Sequence, residues 1–212
     1  MAPLTGLRAL HKADRSRRLL DTATRLFRNR GYDAVRIEDI AAEAQLSPGT
    51  VYNYFSTKGE ILLAIVTLEV EEVLAQGQAV LAAPGPGFQE AMGALVGGYY
   101  DHSLHYLSKA MWRTAMAQTI ATPDSAFSQH YTDLDRRLTD QICALLAQLQ
   151  ARGAVTGDID PRRMGELIFN DINQMFTEFV RDEALPLTHL QQALAAHLHQ
   201  LGRLVSPTRP RP

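Results

Sequence analysis

Between Ser47 and Lys58 the chain places a hydroxyl at Thr50, a carboxamide at Asn53, phenols at Tyr52 and Tyr54 and an ammonium at Lys58, beside Gly49, which has no side chain. These are the groups that read nucleic acid. A carboxamide pairs bidentately with adenine, and a threonine offers its methyl to thymine and its hydroxyl to either base type. Phenol and ammonium donors meet phosphate oxygens, which position a protein on the duplex without selecting a sequence. A tyrosine ring also serves as a packing residue, and a lysine at a helix start is often simply solvated. The constellation, more than any single member, points to double-stranded DNA.

Those residues need a short helix to present them. Ser47 has the hydroxyl of an N-cap, and Pro48 falls at the first helical position, where a missing N–H costs nothing. Val51 and Phe55 are four apart and share the face that holds this helix to its domain, leaving Gly49, Thr50, Tyr52, Asn53 and Tyr54 for the rest of the circumference. Upstream, Ile37, Ile40, Ala41 and Ala44 mark a second helical face, with Glu38 and Asp39 in the first turn where the helix dipole favours acids. Leu20, Ala23 and Phe27 repeat at helical spacing from about Asp14 to Arg30, and Gly31 stops that helix. Helix, tight turn, helix is the pattern of a helix-turn-helix.

Charge separates along the chain. Residues 1–30 carry eight basic residues against Asp14 and Asp21, on a chain of 212 residues whose formal net charge is −2. The remainder is therefore acidic, and the basic end suits an anionic partner or forms a solvated arm. Cys143 is the only cysteine, which excludes an intrachain disulfide and a Cys-rich zinc module. Its neighbours Ile142, Ala144 and Leu145 place it among apolar groups, as an inert thiol. No apolar core of a signal peptide follows Met1, and Glu69, Glu71 and Glu72 break the longest apolar region. A cytoplasmic protein with no membrane partner is expected.

A long helix from about Lys58 to Leu81 ends at Pro84-Gly85-Pro86-Gly87, and five more helices are expected at about 88–107, 108–121, 124–152, 161–182 and 187–204. Sustained period-two alternation, the mark of a strand, is absent from the sequence. The fold class is all-α, with about nine helices. The expected organisation is a three-helix DNA-binding domain at residues 14–60, a larger regulatory domain at 61–205, and disordered tails at 1–13 and 206–212.

The block from about Leu20 to Leu62 resembles the DNA-binding domain of the bacterial tetracycline-repressor (TetR) family. The match rests on Ala23, Leu26-Phe27, Gly31-Tyr32, Ile40-Ala41, Ala44, Leu46-Ser47, Gly49, Val51-Tyr52, Tyr54-Phe55, Lys58 and Leu62. The resemblance implies an all-helical homodimer that represses transcription and leaves its operator when a small molecule binds. Taken with the chemistry of the residues, it points to DNA contacts from Ser47, Pro48, Gly49, Thr50, Tyr52, Asn53, Tyr54 and Lys58, to which Arg36 adds a contact outside the family pattern. Two positions depart from the family pattern. Val35-Arg36 stands where a threonine usually opens the second helix, and Gln45 stands where the turn usually has glycine. A lost hydroxyl cap and a side chain in a left-handed turn each cost about 1 kcal/mol. Arg36 compensates by offering a charged contact to phosphate or base edge.

One helix reads only a few base pairs, so a dimer is expected on grounds of affinity. The apolar face of Ile168, Ile172, Met175 and Phe179 and the leucine series Leu190, Leu194, Leu198 and Leu201 are candidates for its interface, or for intramolecular core. A lipophilic or aromatic effector would suit a cavity edged by Tyr99, His102, Tyr106, Met111, Trp112, Met116, Tyr131, Phe169, Asn173 and Phe176. No cofactor or metal is expected, because His102, His105 and His130 lack a completing carboxylate or thiolate. The sequence carries no phosphate-binding glycine loop, nucleophile elbow or zinc-protease pattern, so no enzyme is expected. The function expected is a ligand-responsive DNA-binding regulator, most simply a repressor leaving a near-palindromic operator. The alternative is a helical small-molecule-binding or scaffold protein with a vestigial helix-turn-helix.

Overall fold

The computed structural model describes residues 4–207, with side chains from Asp14 onward. Among the described residues there are nine helices and no strand. They are α1 (Leu4–Arg30), α2 (Ile37–Glu43), α3 (Pro48–Tyr52), α4 (Lys58–Ala82), α5 (Phe88–His102), α6 (Lys109–Ala121), α7 (Ala126–Ala151), α8 (Pro161–Arg181) and α9 (Leu187–Val205). The first helix begins ten residues before the expected start at Asp14, because no proline follows Pro3 to break it before Gly31. Residues 4–13 are therefore helix and not a disordered tail. Residues 1–3 and 208–212 of the expected tails lie outside the described residues.

The helix ends follow from local chemistry. Gly31 sits at φ 84° and its N–H reaches Phe27 O at 3.0 Å, closing α1 with the left-handed residue that glycine tolerates. Asp160 caps α8, its Oδ1 accepting from Arg162 N at 2.8 Å and Arg163 N at 3.2 Å, with Pro161 at the first position. Ser108 caps α6 through Met111 N at 3.3 Å.

The chain forms two compact units. Unit 1 comprises residues 1–68 and 106–129, and unit 2 residues 69–105 and 130–212. This division differs from the expected boundary at residue 60. The first turns of α4 bring Ile61, Leu62 and Ile65, all fully buried, into unit 1 with α1, α2 and α3. Helix α6 joins the same unit, where Gln118 lies against Gly59 so closely that a Cβ there would meet its Nε2 at 3.0 Å. Leu19, Ala23, Phe27, Ile40, Ala41 and Val51 complete the unit 1 core, and the Phe27 and Tyr32 rings meet at 5.1 Å.

Unit 2 packs α5 on α9 and α8 on α9. Its core contains a buried polar chain. Tyr99 donates to Gln141 Oε1 at 2.8 Å, and Gln141 Nε2 donates to Leu74 O at 2.7 Å, joining α5, α7 and α4. Tyr100 donates to Ile172 O at 2.7 Å and stacks on Phe176 with centroids 6.1 Å apart. Each polar atom removed from water is thus matched by a partner, as burial requires. Helices α7 and α8 come close at Gly165, where a Cβ would lie 3.0 Å from Cys143 Cα. Burial pushes the Cys143 thiol up from its ordinary range, as expected for an inert cysteine.

The residues expected at a dimer interface lie elsewhere. Ile168, Ile172, Met175, Phe179, Leu190, Leu194 and Leu198 are buried within the chain itself and Leu201 is half-buried, so the apolar periodicity of α8 and α9 marks intramolecular core. The large apolar side chains these helices leave exposed are Leu167 and Leu204, 62% and 75% accessible.

Candidate nucleic-acid interface

The helix-turn-helix is α2, the turn at Ala44 to Ser47, and α3. Helix α2 starts from Arg36 in extended conformation, φ −103° and ψ 161°. No hydroxyl is present to cap it. Instead Asp39 reaches back and accepts from Arg36 N–H at 2.8 Å, the acidic half of a capping box. The Arg36 guanidinium is exposed and makes no side-chain hydrogen bond among the described residues. Arg25 pairs with Glu43 at 2.8 Å and ties α1 to the end of α2.

The turn closes α2 as a Schellman motif. Leu46 N reaches Ala41 O at 2.9 Å, Gln45 N reaches Ala42 O at 3.1 Å, and Gln45 stands between them at φ 56°. It is the single non-glycine residue with positive φ among the described residues. The substitution of glutamine for the usual glycine therefore leaves the left-handed geometry in place.

Helix α3 has one turn and a half. Ser47 Oγ accepts from Thr50 N at 3.1 Å and lies 2.8 Å from Thr50 Oγ1, so the cap residue orients the threonine hydroxyl. Val51 is fully buried and anchors the helix. Phe55, expected to share that task, is half-buried. Gly49 is exposed, and a Cβ built on it would find only Ser47 Oγ, at 4.0 Å. Nothing inside the protein requires glycine here. Ser47 and Pro48 are exposed beside it, and Asn53, at the helix end, is exposed with a free carboxamide.

The phenols and the ammonium have different fates. Tyr52 is 46% exposed and donates to Glu38 Oε1 at 3.2 Å, and the nearby Glu38 charge raises its pKa. Tyr54 is half-buried, with its hydroxyl unengaged. Lys58 does not match its expected role. Its ammonium donates to Tyr32 O at 2.7 Å, Val35 O at 3.1 Å and Asp33 O at 3.3 Å, and stands 4.3 Å from the centroid of the Tyr32 ring. An ammonium has three N–H donors, and three carbonyls take them, so Lys58 has no donor left for a phosphate. Glu38 and the three carbonyls around Lys58 were invisible to spacing arguments, since their partners lie 14 to 26 residues away.

The residues expected around an effector divide between the units. Tyr106, Met111, Trp112 and Met116 belong to unit 1, and Tyr99, His102, Tyr131, Phe169, Asn173 and Phe176 to unit 2. Met111 and Trp112 are buried, Tyr106 and Met116 partly so. In unit 2, burial pushes the Tyr99 phenol above its ordinary range, and the same holds for Tyr131, with the Asp135 charge adding to it. His102 places Nδ1 2.5 Å from Glu69 Oε1 and Nε2 3.1 Å from Glu72 Oε2, so its ring nitrogens face carboxylates of α4. Phe176 is engaged with Tyr100 and Phe179, while Phe169 and Asn173 are half-buried.

Residues 19–65 match the family described as bacterial regulatory proteins, tetR family. The chain is 27% identical over 139 residues to the HTH-type transcriptional repressor KstR of Rhodococcus jostii, a stretch that covers 66% of this chain and 59% of that repressor. The chain thus spans less than two thirds of the length of that relative. A TetR/AcrR transcriptional regulator of Thermobifida fusca has the same fold, with a TM-score of 0.65 and 25% identity over 87% of this chain and 96% of the other. Thermus thermophilus FadR, a TetR family repressor solved with lauroyl-CoA, aligns with a TM-score of 0.67 at 21% identity, covering 93% of this chain and 98% of that one. Ser47, Gly49, Tyr52 and the Gln45 turn lie inside the segment that matches the tetR family of bacterial regulatory proteins, and along 87% of the chain the fold is similar to that of a TetR/AcrR regulator.

Proposed function

We propose that this protein is a ligand-responsive transcriptional regulator, a repressor that leaves a near-palindromic operator when a small lipophilic effector binds, and not an enzyme. The observation that carries the reading is Gly49. A glycine that internal packing does not need, exposed one residue before Thr50 and four before the exposed Asn53, is what close approach to a base edge demands. Arg36, Ser47, Pro48, Thr50, Tyr52 and Tyr54 lie in the same unit, to which the exposed Arg17 and Arg18 of α1 add positive charge. Asn53 pairs with adenine, Thr50 meets thymine, and the tyrosines and Arg36 meet phosphates.

Specific affinity at physiological salt calls for two such modules, so the working species is a homodimer in the cytoplasm. Leu167 on α8 and Leu204 on α9 are exposed apolar groups suited to its interface. No helix among the described residues is long and apolar enough to cross a membrane.

The effector acts by population shift. It favours a state in which the two recognition helices no longer match successive major grooves, roughly 34 Å apart. Helix α4 runs from unit 1 into unit 2 at residues 68 and 69, a continuous element for such coupling. That a fold of this kind holds lauroyl-CoA in FadR supports a lipophilic effector.

Selection of bound sequences from a random duplex pool at two salt concentrations tests the reading. Enrichment of a near-palindrome with steep salt dependence is expected. A pool that stays flat would sink it.

A further inference from the structure

The peptide group between Val35 and Arg36 is held at both ends by side chains. Its carbonyl accepts from Lys58 Nζ at 3.1 Å, and its N–H donates to Asp39 Oδ2 at 2.8 Å. The same ammonium takes Tyr32 O at 2.7 Å and Asp33 O at 3.3 Å, so the α1–α2 connection from Tyr32 to Val35 converges on one charge from α4. Hydrogen bonds to a charged donor are roughly twice as strong as neutral ones, and the Tyr32 ring 4.3 Å away adds a cation–π contact. This anchorage ends where Arg36 begins, and the Arg36 guanidinium itself is exposed and unpaired.

We propose that Lys58 is a positioning residue for Arg36: it acts on DNA only through the clamped Val35–Arg36 peptide, which aims the Arg36 guanidinium at a backbone phosphate. The first helix of a helix-turn-helix crosses the phosphate backbone, and Arg36 stands at its start. An arginine has many rotamers, and fixing its backbone removes part of the freedom it must lose on binding. The loss of a threonine cap at this position is thereby offset by a charge delivered from a rigid point. The inference rests on the DNA-binding reading above.

A double-mutant cycle on the full-length protein tests it, with the duplex recovered by selection as probe and affinities measured across a salt series. Arg36→Ala is expected to weaken binding about tenfold, the scale of one charge-assisted contact, and to reduce the slope of log K against log salt by about 0.9. Lys58→Met should give the same two losses, and the double variant should be no worse than Arg36→Ala alone. If Lys58→Met in the Arg36→Ala background removes a further 0.9 or so of slope, Lys58 touches phosphate itself and the proposal is overturned. A lowered Tm with affinity and slope of the folded protein intact would overturn it too, since Lys58 would then be only structural. Should Lys58→Met not fold, Lys58→Arg decides. It keeps the charge but its planar fork does not fit three diverging carbonyls, so loss of affinity supports positioning and retained affinity refutes it. Failure of the wild-type protein to select any sequence would instead remove the functional reading beneath both.

Discussion

Tyr52 on α3 donates its phenol to Glu38 on α2 at 3.2 Å, which places a carboxylate against a phenol of the recognition helix. The pair is exposed, so it contributes little to folding. Its effect on an anionic partner is larger, because Glu38 would lie within the Debye length of about 8 Å from phosphates that Tyr52 approaches. Glu38→Gln is therefore expected to tighten binding to all duplexes about threefold at low salt, with the gain vanishing at high salt and the melting temperature unchanged. Equal affinities at every salt concentration would show that the carboxylate stays clear of the DNA.

Gly49 separates folding from binding. Its backbone is ordinary helix, and a methyl group would meet nothing nearer than Ser47 Oγ at 4.0 Å. Gly49→Ala should raise stability by about 0.5–1 kcal/mol, the difference in helix propensity, while weakening specific DNA binding tenfold or more. Thermal melts and fluorescence anisotropy on the selected duplex measure the two effects. A variant that binds as well as wild type would show that the base edge stands farther away.

Most of the helix layout was legible, because breakers and periodicity coincide: Gly31, the Pro84 to Gly87 run, Pro161 and Pro186 each sit where a helix ends or begins. What escaped has a common cause. Periodicity gives the face a residue occupies but not what covers it, so Ile168, Ile172 and Leu194 read as interface before core, and the chain itself buries them. Spacing likewise reveals side-chain partners three or four residues apart, whereas Lys58 is satisfied by main-chain carbonyls 23 to 26 residues upstream. The turn was legible for the opposite reason: a left-handed residue is demanded by a tight helix-turn-helix whatever its identity, and Gln45 meets that demand at φ 56°.

That conformation has a measurable cost. A residue with a Cβ in the left-handed region is destabilised by roughly 1 kcal/mol relative to glycine, and Gln45 is exposed and makes no compensating side-chain bond. Gln45→Gly should raise the midpoint of chemical denaturation by the equivalent of about 0.5–1 kcal/mol with an unchanged m-value, leaving operator sequence preference intact. A loss of stability would mean that the Gln45 side chain contributes packing that outweighs its backbone strain.

Asp135 on α7 supplies the clearest pH dependence. Burial disfavours its carboxylate and pushes the pKa up to about 7, and among the described residues no donor reaches its side chain to oppose that shift. In the unfolded chain an aspartate titrates near 3.9. Between about pH 4 and pH 7 the unfolded chain thus gives up this proton while the folded one keeps it, so stability from this group is full at the acid end of the window, falls as pH rises, and is flat above the folded pKa. Asp135→Asn keeps a neutral group of similar size in the same place. It should remove this slope and melt about 3 °C or more above wild type at pH 8, the shift that 1 kcal/mol produces in a protein of this length. At pH 5 the two should lie closer together than at pH 8. Melting curves that run parallel across the whole window would place the Asp135 carboxylate in water, and the raised phenol of Tyr131, four residues earlier on α7, would then owe nothing to its charge.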